Sequence, residues 1–211
     1  MIKISVFDFD GTIANTIPVS ISILKRFALN DYKKDLDDKV IEILRDKPIP
    51  EIFKALDVPI VKLPFIARRT RQALNKEIEF LKPIKGISNM LAKLKKRGQI
   101  LGIVSSNSGE SIQKFLLQNN LDIFDFVYSN SKVFGKAGSL KKIIKEYKCE
   151  RGEIVYFGDE IRDIEAARQV GIKIVSVTWG VNSREKLKEL APDFLLNSPS
   201  EILELFKSNT L

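Results

Sequence analysis

Asp8 and Asp10 stand two residues apart in Ser5-Val6-Phe7-Asp8-Phe9-Asp10-Gly11-Thr12, directly after the apolar run Ile2, Ile4, Val6 and Phe7. Such a run reads as a buried strand, and Gly11 frees the backbone to turn at its end. Two carboxylates are costly to place there, because desolvation and mutual repulsion both oppose ionising them together. A bound divalent cation removes that cost. The plainer alternative makes both aspartates loop-capping residues beside Gly11. A carboxylate at a strand end can also attack phosphorus.

Further residues of the same character follow. Asp159 and Asp163 are spaced i, i+4 around an expected helix start. Asp163 can cap that helix or help to hold a metal. Asp159, between Gly158 and Glu160, is the better ligand, since Mg²⁺ takes oxygen donors and keeps several waters. Glu160 and Glu165 are expected on a solvated helix face. Ser105 closes an apolar strand, and its hydroxyl with the amides of Ser106 and Asn107 could cradle phosphate oxygens. Ser108 is the expected N-cap of the helix that follows. Lys132 and Lys136 are both candidates for an anion-binding cation. Lys136 would sit at a helix start, where the dipole disfavours it unless something anionic compensates. The chain contains no histidine, so Ser-His-Asp and Cys-His mechanisms are excluded.

These groups need a scaffold. Residues 17–29, 35–46, 50–57 and 65–81 carry apolar residues at helical spacing, and no strand is expected between 15 and 85. From 86 onward helices and strands alternate, with strands at 99–104, 126–128, 154–157, 172–177 and 193–196. Alternation of this kind, with two-sided apolar strands, predicts an α/β fold: a Rossmann-like doubly wound parallel sheet covered by helices. The helical stretch forms a small cap inserted after the first strand. The expected division is a core of residues 1–14 and 83–211 and a cap of residues 15–82. In such sheets ligands bind at the carboxyl ends of the strands, where Asp8, Ser105 and Asp159 all fall.

The order Asp8-x-Asp10-Gly11-Thr12 resembles the first motif of the haloacid-dehalogenase-like hydrolases. Ser105 resembles the second motif, Lys136 in Phe134-Gly135-Lys136-Ala137 the third, and Gly158-Asp159-Glu160-Ile161-Arg162-Asp163 the fourth. The run 158–167 is most similar to the phosphoglycolate-phosphatase-like branch. The resemblance implies Asp8 as nucleophile and Asp10 as acid–base residue. It implies Mg²⁺ held by the Asp8 carboxylate, the Asp10 carbonyl and Asp159, with Asp163 holding a metal-bound water. Ser105, Ser106, Asn107 and Lys136 would bind the phosphate, Lys136 being preferred to Lys132 on the Gly-Lys pattern. An Asp at position 10 implies phosphate-ester hydrolysis rather than dehalogenation or transport.

The expected activity is therefore hydrolysis of a small phosphorylated metabolite. Alternatives are a phosphomutase, a nucleic-acid end phosphatase and a non-catalytic binding protein that keeps the fold. The phosphomutase branch uses a further His after the first motif, which 14–20 lacks. The net charge of +8 suggests an anionic partner, but its lysines are scattered on helical faces without interleaved aromatics, which argues against nucleic acid. Segment 58–76 holds Lys62, Arg68, Arg69, Arg71 and Lys76 and no acid, either as a solvated face or as a face that meets an anionic substrate. No run of about 18 apolar residues suggests a membrane span. One cysteine, Cys149, excludes an internal disulfide, and with no basic, apolar leader a cytoplasmic location is expected.

Overall fold

The structure, a computed structural model, describes residues 1–47, 49–129 and 135–207. Six parallel strands form one sheet: β1 (Ile4–Phe7), β2 (Ile100–Val104), β3 (Phe126–Tyr128), β4 (Ile154–Gly158), β5 (Lys173–Val177) and β6 (Phe194–Leu196), in the order β3-β2-β1-β4-β5-β6. The expected parallel α/β sheet is thus present, with β1 at its centre. Residues of β1 alternate between two cores: Ile4 and Val6 pack on one face, and Phe7 stacks on Phe157 at 4.5 Å on the other. Burial on both faces is what makes the strand apolar apart from Ser5, whose hydroxyl donates to Gln99 Oε1 at 3.1 Å.

Helices α5 (Ile87–Lys96), α6 (Gly109–Gln118) and α10 (Pro199–Lys207) cover the Phe7 face through Leu91, Phe115 and Ile202. Helices α7 (Gly135–Tyr147), α8 (Ile161–Val170) and α9 (Arg184–Glu189) cover the other through Leu140, Ile164 and Leu187.

Between β1 and α5 the described residues hold helices only: α1 (Ile17–Tyr32), α2 (Asp38–Leu44), α3 (Ile49–Ala55) and α4 (Leu63–Glu77), with short 3₁₀ turns. They bury a small core of their own around Ala28, Leu44, Phe53, Leu56 and Ile66. The chain leaves and re-enters the sheet layer side by side. Asn15 N donates to Lys82 O at 3.0 Å, and Ile84 N donates to Ile13 O at 2.9 Å.

Element limits differ from the periodicity for local reasons. The helix expected over 35–46 starts only at Asp38, because the Asp37 carboxylate caps it by accepting Val40 N at 2.8 Å. The helix expected over 65–81 ends at Glu77, and Leu81 is extended, because the chain straightens there to pair with residues 13–15. Its apolar face is also split: Ile66 joins the small core, while Leu74, Ile78 and Leu81 join the large one. Helix α7 begins at Gly135, which puts Lys136 at a helix start as expected.

Candidate active site

Parallel pairing puts the ends of three neighbouring strands in register: Phe7 lies opposite Ile103 on one side and Phe157 on the other. The next residues along are Asp8, Val104 followed by Ser105, and Gly158 followed by Asp159. All three polar groups therefore meet at one edge of the sheet, and all are buried. The carboxylates of Asp8, Asp159 and Asp163 each offer an oxygen within 4.8 Å of the others.

Each side chain is held by named partners. Asp159 accepts from the Thr12 hydroxyl at 2.7 Å with one oxygen and from Val181 N at 2.7 Å with the other. Gly11 (φ +77°) and Gly180 pass so close that a Cβ at either would strike the Asp159 carboxylate. Asp163 accepts Glu160 N at 3.0 Å through Oδ2 and the Tyr156 hydroxyl at 2.8 Å through Oδ1. It caps α8 and belongs to the acidic cluster at once, so its two expected roles are compatible. Lys136, in the first turn of α7, bridges Asp8 Oδ2 at 3.1 Å and Asp163 Oδ1 at 2.6 Å. The anionic compensation expected at that helix start is present. Lys132 lies outside the described residues, as does Phe134.

Ser105 Oγ accepts Asn107 N at 3.0 Å, which leaves its own proton free to donate. Asn107 turns its amide nitrogen toward both Asp10 oxygens, at 3.4 and 3.5 Å. Ser106 is half-buried between them in sequence, and Ser108 caps α6 by accepting Ser111 N at 3.2 Å.

The electrostatics follow from burial. Desolvation pushes the Asp8 carboxyl well above its usual range. Lys136 opposes this, and Asp163, Asp159 and Glu160 add to it. Desolvation carries Asp159 up to about 7, with Glu160 and Asp163 adding their repulsion. Asp10 rises to about 6, again through burial, with Lys136 opposing. Burial alone would lower the Lys136 ammonium, but Asp163, Asp8 and Glu160 outweigh it and hold the proton more firmly. Ionised together, Asp8, Asp159 and Asp163 would bring three negative charges against the single positive charge of Lys136. The net of two is what one divalent cation cancels. Hard, buried carboxylate donors are the donor set such a cation takes, so the residues fit the metal that the sequence led us to expect.

Several participants escape a reading by motif. Glu160, expected on a solvated face, is half-buried, pairs with Arg162 and adds charge to the site; Glu165 is exposed as expected. Tyr156 lies inside an ordinary apolar strand. A second set lies on the loop after β5. Asn182 Oδ1 accepts Ile161 N at 2.9 Å, and its amide donates to Arg45 O at 2.9 Å. The Arg45 side chain donates to Val181 O at 2.8 Å and Gly180 O at 3.0 Å. Asp46 accepts Ser183 N at 2.8 Å and the Ser183 hydroxyl. Burial pushes Asp46 up, but these bonds from Ser183 outweigh it and hold the carboxyl below its usual range. The helical insert is thus fastened to the loop that orients Asp159.

Beside these loops is a cleft of about 880 Å³ between the insert and the sheet edge. It is bordered by the start of α1, by α2, and by Thr178–Val181. Of α4 only Thr70 reaches it. Arg69 instead pairs with Asp31 at 2.7 Å and lies over the Phe27 and Phe65 rings.

A parallel sheet whose central strand ends in paired aspartates, with a lysine and two further aspartates converging on them, defines a hydrolase of the haloacid dehalogenase type. The chain belongs to the haloacid dehalogenase-like hydrolase family, which it matches over residues 5–177. It is similar to a phosphoglycolate phosphatase of Synechococcus elongatus, 32% identical over 200 residues and covering 94% of both chains. It is also similar to a pyrophosphatase of Bacillus mycoides, at 25% identity over 94% of both. Among solved structures, a haloacid dehalogenase-like hydrolase from Streptococcus pneumoniae superposes with a TM-score of 0.81 at 21% identity, covering 97% of this chain and 98% of that one. Among the described residues no helix is long and apolar enough to cross a membrane.

Proposed function

We propose that this chain is a Mg²⁺-dependent phosphatase that hydrolyses a small phosphorylated metabolite through a phosphorylated Asp8. One observation carries the reading: Asp8 lies within 3.1 Å of Lys136 and within one metal-sized cluster with Asp159 and Asp163, at the ends of adjacent strands. The phosphatase and pyrophosphatase relatives support the same reaction class.

An Asp8 oxygen attacks phosphorus in line as the bond to the leaving oxygen breaks. Asp10, with a pKa of about 6, is protonated often enough to give that oxygen its proton and ionised often enough to take one from water afterwards. That water then attacks phosphorus, the bond to Asp8 breaks and inorganic phosphate leaves. Ser105, the Ser106 and Asn107 amides and Lys136 orient the phosphoryl oxygens. The Asp8 and Asp159 carboxylates and the Asp10 carbonyl would hold Mg²⁺, with Asp163 ordering one of its waters. When bound, the ion supplies positive charge opposite the phosphoryl oxygens. Residues 15–82 act as the cap over a core of 1–14 and 83–211. The lone Cys149 suits the cytoplasm.

Phosphate release from an aryl phosphate should require Mg²⁺, and Asp8→Asn should lower kcat by several orders of magnitude. Turnover by Asp8→Asn above about a hundredth of the normal rate would refute covalent catalysis.

A further inference from the structure

The relatives act on phosphoglycolate or pyrophosphate, whose leaving groups carry a second negative charge. The cleft beside this site is built for something else. Its walls are the start of α1, a few residues after the Asp10–Thr12 turn, a face of α2, Ile52 of α3 and the loop that holds Asp159. Apolar side chains dominate them: Ile17, Ile21, Leu24, Ile41, Ile52 and Trp179.

Among the described residues, the only ionic ones in the lining are Glu42 and Arg45. Arg45 is already engaged on every side. Its Nε and Nη2 donate to Val181 O and Gly180 O, and its Nη1 faces both Glu42 oxygens at 3.2 Å. A second carboxylate or phosphate entering the cleft would lose its hydration and meet no free cation there, only the acid Glu42. An unpaired anion in such surroundings is strongly disfavoured. The basic residues of 58–76 do not make up the deficit, because α4 contributes only Thr70 to the lining.

We infer that the preferred substrate of the proposed phosphatase is a monoester whose leaving group is an uncharged, largely apolar alcohol seated in the cleft between α1, α2 and Trp179. This rests on the phosphatase reading above. The leaving group rather than the phosphoryl group supplies the selectivity, through apolar area removed from water. Each buried methylene is worth about 0.8 kcal/mol, or roughly a fourfold gain in kcat/KM where the interaction is present in the transition state.

The test is a series of n-alkyl monophosphates from methyl to hexyl, assayed with Mg²⁺ beside phosphoglycolate and pyrophosphate. The expected result is kcat/KM rising about threefold to fourfold per methylene until the cleft is filled, with hexyl phosphate above both substrates whose leaving groups are anionic. Alkylphosphonates, which cannot be hydrolysed, should inhibit in the same order. Ile21→Asn and Ile41→Asn, on different helices, should each flatten the series. A flat or falling series with measurable turnover of methyl phosphate would overturn the apolar leaving group and leave the phosphatase intact. Phosphoglycolate or pyrophosphate surpassing hexyl phosphate tenfold would do the same. Absence of Mg²⁺-dependent hydrolysis across the whole set, aryl phosphate included, would overturn the phosphatase reading itself.

Discussion

Stability of the metal-free protein should fall as pH rises from 5 to 8, and Mg²⁺ should abolish that fall. Asp159 has a carboxyl of about 7 in the fold against about 3.8 for the free residue. A raised carboxyl means that the folded chain holds a proton the unfolded chain has released. The resulting stability is fully present below the unfolded value and is lost as pH climbs through the folded one. The whole loss from Asp159 is about 4 kcal/mol at 1.36 kcal/mol per pH unit, of which about 3 kcal/mol falls between pH 5 and 8. For a chain of this size that lowers Tm by roughly 6–12 °C. Asp10, at about 6, and Asp8 act in the same direction. The window is clean because the chain has no histidine. Mg²⁺ binds the ionised carboxylates, so its stabilisation should grow with pH, reaching about 2.7 kcal/mol at a hundred times Kd. The assay is thermal unfolding in EDTA and in Mg²⁺ at four pH values, with Asp159→Asn alongside. A metal-free Tm that stays level or rises with pH would refute the reasoning. So would an Asp159→Asn slope equal to that of the wild type.

Asp10→Asn should lose roughly 10²- to 10⁴-fold in kcat, the usual worth of a positioned proton donor, while Mg²⁺ affinity measured by calorimetry changes little; weakened metal binding with unchanged kcat at saturation would show that the role is misassigned. Asn182→Ala leaves Ile161 N and Arg45 O without their partner and should cost about 1–3 kcal/mol in denaturant unfolding. The same variant should weaken Mg²⁺ binding severalfold, since Ile161 and Asp163 share one helical turn; unchanged affinity would uncouple Asn182 from the acidic cluster.

The sheet and its catalytic edge were legible because the signal is local. Apolar runs end in Asp8, Ser105 and Asp159, and parallel pairing must bring such ends together. The helical character of the insert was legible for the same reason, through periodicity. What the sequence hid depends on contacts between distant segments. Asn182 sits 137 residues from Arg45, and nothing in either neighbourhood marks the pairing. Tyr156 reads as one more apolar strand residue until Asp163 is seen to accept its hydroxyl. Glu160 reads as surface because helical spacing alone cannot reveal that the turn before α8 faces the site. The charge run in 58–76 illustrates the converse: five basic residues invite a substrate-binding role, yet Arg69 is turned to Asp31 and two aromatic rings.

The position of β1 has a consequence for the order of assembly. The strand that carries Asp8 is the first to leave the ribosome, yet its two neighbours begin at Ile100 and Ile154. At about 5–20 residues per second, roughly 8–30 s separate synthesis of β1 from synthesis of its second partner. The four helices of the insert, whose contacts are local, are complete long before then. Until β2 is made β1 has no strand to pair with, and until β4 follows the paired aspartates at its end lack Asp159 and Asp163 beside them, so two adjacent charges exposed to water cost little. The acidic site is assembled, and its electrostatic cost incurred, only when Asp159 arrives with the strand that closes the centre of the sheet.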